Sequence, residues 1–178
     1  MKKKISKSKG ILFWITGLSG SGKSSIAKTI KPKIVKKYGP TIIFNGDDLR
    51  KILNFNDYSL KGRLANGYKF SKLFKFITNQ NINVIFAGVG MFHKLRAYNR
   101  KNIKNYVEIY IKTELNQILS TRKKKIYKNK KNKIVGRDLR AELPKKPDII
   151  LKNNFKKKIS FLSKKLFNEI KKRFNKNI

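Results

Sequence analysis

The chain has no cysteine, which excludes disulfides, thiolate metal sites and a cysteine nucleophile and fits a reducing cytoplasm. It is also poor in acid. Nine Asp and Glu stand against 46 Lys and Arg, so any catalytic carboxylate must come from a short list. Long apolar runs are missing too, and no stretch approaches the roughly 18 residues of a membrane span. The opening "MKKKISKSKGILFWITGLSG" imitates a secretory leader, but its apolar core "ILFWI" falls short of the roughly 7–15 residues a leader needs. The expectation is a cytoplasmic protein with a basic extension over residues 1–10 and a single domain over 11–178.

What is abundant is positive charge, +37 in 178 residues. Such a balance points to nucleic acid, an anionic surface or polyanionic small molecules. Only 8 of the 46 basic residues are arginine, whereas readout of phosphates and bases leans on arginine. The abundance of lysine, asparagine and isoleucine matches a drift in composition. We therefore expect no specific nucleic-acid partner and no membrane, with the charge serving a small anionic ligand.

Strand and helix alternate along the chain. Residues 11–16 read as a buried strand ending in glycine, and Ser24 to Ile30 as a helix ended near Pro32. "TIIFNGDD" is a strand running into a polar loop, and Leu60 to Asn79 carries apolar residues at helical spacing. "INVIFAGVG" is a third strand, apolar enough for a sheet covered on both faces. "HKLRAYNRKNIKNY" reads as helix, "VEIYI" as strand, and "TELNQILSTRKK" as a helix with Thr113 as its cap. "PDIIL" is a fifth strand. A last amphipathic helix has Phe155, Ile159, Leu162, Leu166, Ile170 and Phe174 on one face. The pattern predicts an α/β fold, a parallel doubly wound sheet of about five strands with flanking helices.

"GLSGSGKS" satisfies G-x-x-x-x-G-K-[ST] with Gly17, Gly22, Lys23 and Ser24, placed between a strand and a helix. Glycines let the backbone curl so that successive N–H groups point at phosphate oxygens, and the following helix N-terminus favours negative charge. Gly17, Leu18, Ser19, Gly20, Ser21, Gly22, Lys23, Ser24 and Ser25 thus form a site for ATP. Lys23 reaches the outer phosphates and the Ser24 hydroxyl ligates Mg²⁺. A glycine turn of purely structural purpose leaves Lys-Ser unexplained. NTPases of this class usually carry an acid at the end of a later strand, and "INVIFAGVG" has none. Asp47 and Asp48, directly after the second strand, instead face the loop from the edge of the sheet where α/β ligands bind. That arrangement suits a small-molecule kinase in which Asp47 orients or deprotonates an acceptor hydroxyl. The alternative is a pair that merely caps the next helix.

Beyond these points the chain resembles the adenylylsulfate (APS) kinases, P-loop enzymes that phosphorylate the 3′-hydroxyl of adenosine 5′-phosphosulfate, over roughly residues 11–152. "ILFWITGLSGSGKSSIA" is similar to the family's opening, and "FNGDDLRKIL" to its D-G-D-x-x-R segment. The resemblance implies that Asp47 takes the place of the second aspartate and Arg50 that of an acceptor-binding arginine. "DYSLKGRLAN" resembles G-F-S-x-x-D-R-x-E-N, which implies Tyr58 stacking on the acceptor base and Arg63 and Asn66 contacting its phosphate or sulfate. "TRKKKIYKNK" is similar to R-D-x-K-G-L-Y, putting Lys125 and Tyr127 in a basic lid over about 122–140. "IVGRDLRAELPKKPDIIL" resembles the closing F-T-G-I-D-x-P-Y-E-x-P-x-x-P-D, with Ile134 at the second face of the acceptor base. The implied partner is a small nucleotide acceptor with an anionic tail; a homodimer is compatible with the resemblance.

Several positions depart from that pattern. Asn45 stands in place of the family's first acid, so Asp47 must serve as base or Asp48 must help. Gly62 replaces the acid before Arg63, "ANGYKF" lacks paired arginines, and "GVGM" lacks Ser-Pro. Ile134 replaces a phenylalanine, forfeiting about 1–3 kcal/mol of stacking. The donor side is intact and the acceptor side altered. Kinases resembling APS kinase act on cytidine diphosphoramidate in capsule synthesis, and "NRKNIKNYVEIYIK" with "IVGRDL" is similar to that branch, so both acceptors stay open. A nucleotide-binding protein without transfer is a further alternative, motivated by Asn45. His93, the one histidine, reads as a loop or packing residue, and Trp14 as core. Arg96 and Arg100, one helical turn apart, face either donor phosphates or solvent.

Overall fold

The computed structural model describes residues 9–121 and 134–175. Five strands, β1 (Leu12–Thr16), β2 (Thr41–Asn45), β3 (Asn83–Ala87), β4 (Tyr106–Lys112) and β5 (Ile149–Lys152), form one sheet in the order β2-β3-β1-β4-β5. Every pairing is parallel. The helices are α1 (Lys23–Tyr38), α2 (Gly46–Ile52), α3 (Leu60–Asn79), α4 (His93–Asn102), α5 (Leu115–Thr121) and α6 (Ile159–Asn175). The chain lays β2 and β3 on one side of β1 and then crosses to β4 and β5 on the other. That reversal opens a crevice at the carboxyl ends of the central strands, where ligands of open α/β sheets bind.

Alternation along β1 divides the core. Phe13 and Ile15 point to one face, with Ile26, Ile30 and Ile34 of α1 and Leu162, Leu166 and Ile170 of α6. Leu12 and Trp14 point to the other, with Phe70 and Phe74 of α3 and Leu95 of α4. Helices cover both faces at the centre of the sheet, which is why β1 and β3 are buried along their whole length.

The structure corrects several local expectations. Helix α1 does not end near Pro32 but runs through it to Tyr38. An interior proline costs about 3 kcal/mol; here Ile34, beyond the proline, is fully buried in the core, and that packing offsets the cost. The polar loop expected after β2 is helix α2. Asp47 and Asp48 occupy its first turn, where the helix dipole favours acid, and the Asn45 amide donates to Asp48 Oδ2 at 2.9 Å. Helix α4 stops at Asn102 because Ile103 turns extended and buried. Thr113 does not cap α5: its hydroxyl is buried without a hydrogen-bond partner among the described residues. Phe155 precedes α6, at φ 64°.

Candidate active site

The phosphate loop leaves β1 at Thr16 and re-enters regular structure at Lys23. Gly20 and Gly22 have φ of 85° and 92°, backbone that only glycine adopts freely. At Gly22 a Cβ would also sit 2.9 Å from the Asn153 amide nitrogen. Asn153, which follows β5, donates from Nδ2 to the Ser21 carbonyl at 2.9 Å and takes the Phe155 N–H on Oδ1 at 3.0 Å. It pins the loop to the far side of the sheet. The Lys23 ammonium is buried and donates to the Leu18 carbonyl at 2.7 Å. Ser24 and Ser25 lie exposed in the first turn of α1, while the Ser21 hydroxyl is buried without a partner among the described residues. Magnesium bound with phosphates asks for only one or two protein oxygens, and the exposed Ser24 hydroxyl is a group that could supply one.

A cleft opens at the carboxyl ends of β2 and β3, where Gly46 and Gly88 line it. Its floor is aromatic, with Trp14, Phe70, Phe86 and Phe92, and three arginines line it, Arg50, Arg63 and Arg140. Gly90, at φ 43°, keeps the floor open on one side, since a Cβ there would meet the Trp14 indole at 2.7 Å. Thr16 donates its hydroxyl to the Val89 carbonyl and so ties that loop to β1.

Of the residues expected on the acceptor side, Asp47, Arg50, Tyr58 and Arg63 are brought together, and Ile134 differs. Tyr58, half exposed, has the guanidinium carbons of Arg50 and Arg63 at 5.7 and 5.4 Å from its ring centre. Arg63 also donates from Nε to the Tyr58 carbonyl at 2.7 Å. Burial, aided by repulsion from Arg50, lowers the proton affinity of Arg63. Asp47 is 95% exposed and pairs with Arg50 at 3.5 Å. Asn66 is buried on α3. The difference concerns Ile134, which is buried with Leu18, Met91 and Tyr110; its neighbour Val135 lines the cleft. Lys125 and Tyr127 lie outside the described residues.

Arg96 is buried rather than facing phosphates or solvent, and Arg100, partly exposed, is held by carboxylates. Arg96 Nε meets Glu108 Oε1 at 3.2 Å, and Arg100 Nη2 meets Glu108 Oε2 at 2.8 Å. Asp148 binds Arg100 at 3.2 Å and Arg173 at 2.9 Å. Glu108 lies on a central strand between hydrophobic neighbours, and an acid inside "VEIYI" was the available signal that it needed buried cations. His93 stands at the start of α4; its backbone N–H donates to a Glu142 carboxylate oxygen, and its Nδ1 accepts from Arg96 Nη2 at 2.7 Å. Glu142 and Asn153 were missed in the sequence, since their partners are remote from them in the chain, as was Arg140, which lines the cleft.

The parallel sheet, the phosphate loop after its central strand and the cleft at the carboxyl ends of its strands define a P-loop kinase. The chain belongs to the adenylylsulphate kinase family, whose profile matches residues 9–152. It is 35% identical over 168 residues to cytidine diphosphoramidate kinase of Campylobacter jejuni, covering 90% of this chain and 98% of that one. Over 160 residues it is 32% identical to adenylyl-sulfate kinase of Clostridium kluyveri, covering 86% of this chain and 80% of that one. Among solved structures, APS kinase of Mycobacterium tuberculosis in complex with AMPPNP and APS aligns with a TM-score of 0.81 at 25% identity, over 92% of this chain and 98% of that one. The protein is accordingly an enzyme of the nucleotide kinase class. Among the described residues no helix is long and apolar enough to cross a membrane.

Proposed function

We propose that the protein transfers the γ-phosphate of Mg-ATP to the 3′-hydroxyl of a nucleotide that carries an anionic tail. The observation that carries this reading is the cleft itself, an aromatic floor with three arginines at the carboxyl ends of the strands. The floor offers a surface for a base, and the arginines offset repulsion between two multiply charged nucleotides. Lys23 holds the outer phosphates, and the α1 N-terminus adds its dipole. Mg²⁺ held at Ser24 would lower the charge on the phosphates. Asp47 takes the acceptor proton as the phosphoryl group moves, and Arg50, 3.5 Å from Asp47, directs that carboxylate. Asn45 is no obstacle to this role, since its amide is engaged with Asp48 and Asp47 remains free of it.

Cytidine diphosphoramidate is the acceptor we favour, because the Campylobacter kinase named for it is similar over nearly its whole length. Adenosine 5′-phosphosulfate is the second reading, favoured by the family match and by the likeness to the Mycobacterium APS kinase. ADP release measured with each acceptor in turn tests the reading, with ADP formation dependent on one of them as the expected result. Capsule synthesis would be the setting for the first acceptor and sulfate assimilation for the second.

A further inference from the structure

A third arginine in the cleft has no counterpart in the acceptor-site residues described so far. We propose that Arg140 is a specificity-determining contact to the anionic tail of the acceptor, selecting acceptors with at least two negative groups. The proposal rests on the kinase reading above.

Three guanidinium groups share one cleft, and Arg50 pairs there with Asp47, itself almost fully exposed. Among the described residues Arg140 makes no ion pair. Arg50 and Arg63 both lie over the Tyr58 ring, and burial, with repulsion from Arg50, lowers the proton affinity of Arg63. A third cation in that place is compensated by a ligand with several anionic oxygens rather than by the protein.

The backbone that carries Arg140 is fastened on both sides. Before it, residues 134–139 close a tight turn: the Ile134 N–H donates to Asp138 Oδ2 at 2.8 Å, and the Gly136 N–H to the Leu139 carbonyl at 2.8 Å. After it, Glu142 is held at the start of α4, its carboxylate by the His93 N–H and its carbonyl by Arg96 Nη2 at 2.7 Å. Arg96 is anchored in turn on Glu108 of β4. The fastened backbone thus sets Arg140 at the edge of the cleft that it lines.

The test compares wild type, R140A and R140K in steady-state kinetics with ATP and each of the two acceptors. R140A is expected to raise the acceptor KM by about tenfold or more, to leave the KM for ATP within about twofold, and to be partly rescued by R140K. An acceptor KM unchanged in R140A overturns the assignment while leaving the kinase reading in place. If wild type turns over neither acceptor, the kinase reading fails and Arg140 is judged by calorimetric titration of cytidine diphosphate into the ADP-loaded protein. Weaker binding to R140A, by about fivefold or more, then supports the contact; equal binding, or none to wild type, overturns it.

Discussion

Arg96 and Glu108 meet across the boundary of α4 and β4 with Nε and Oε1 3.2 Å apart, and their side chains are only 5% and 4% exposed. Burial pushes the Glu108 carboxyl upward, opposed by Arg100 and Arg96. Such a pair adds little net stability over an apolar replacement, but breaking it leaves charge buried without compensation. Glu108→Ala leaves the buried Arg96 without its carboxylate, while Arg100 keeps Asp148. Unfolding in denaturant is expected to show a loss of about 3–5 kcal/mol, and a loss under about 0.5 kcal/mol, the level of an ordinary surface change, would show that the pair is not a structural joint.

Pro32 is exposed within α1 and removes an interior hydrogen bond. Pro32→Ala restores the donor without touching the buried face formed by Ile26, Ile30 and Ile34. Thermal melting should rise, by an amount corresponding to about 1–3 kcal/mol. A lower melting temperature would mean that the proline's restriction of the unfolded chain outweighs the missing bond.

Lys23 and Asp47 are assigned to different nucleotides, so their substitutions should separate. Lys23→Ala is expected to weaken ATP binding and to cut kcat by about 10²–10³-fold. Asp47→Ala should lower kcat by about 10²–10⁴-fold with the KM for ATP near that of wild type. Steady-state kinetics with ATP varied and the acceptor saturating distinguishes the two. Wild-type turnover in Asp47→Ala would reassign the base.

Asp138 closes the turn before Arg140. Its hydrogen bonds to Arg137 and to the Ile134 N–H hold its carboxyl below the ordinary value of 3.8. A carboxylate depressed in the folded state contributes stability above its unfolded pKa and loses it as pH falls through the folded value. Wild type should therefore melt above Asp138→Ala at neutral pH, with the gap closing as the buffer is taken below 3.8. A gap independent of pH would contradict the carboxylate's part in the turn.

The parts of this enzyme that were legible in the sequence are those whose cause is local. The phosphate loop needs its glycines, Lys23 and Ser24 in one order, and the buried strands need continuous apolar runs, so both could be read directly. Asp47, Arg50, Tyr58 and Arg63 became visible through the likeness to a known family, and the structure gathers them around one cleft edge. Pro32 misled because tertiary packing of Ile34 overrides a local breaker. Arg96 and Arg100 misled because their partner Glu108 lies on a neighbouring strand, and helical spacing cannot distinguish a solvated face from a buried ion pair. Asn153 reaches a loop 132 residues away. Ile134 is buried with Leu18, Met91 and Tyr110 while its neighbour Val135 lines the cleft, a choice between adjacent apolar side chains that no local pattern marks.

Phosphoryl transfer to a tailed nucleotide is tested most directly by following ADP release from Mg-ATP with cytidine diphosphoramidate and with adenosine 5′-phosphosulfate, and locating the new phosphate on the product by phosphorus NMR. ADP release that depends on one acceptor, with the phosphate on its 3′-oxygen, is the predicted result. ATP binding with no acceptor-dependent ADP release from either nucleotide would contradict it.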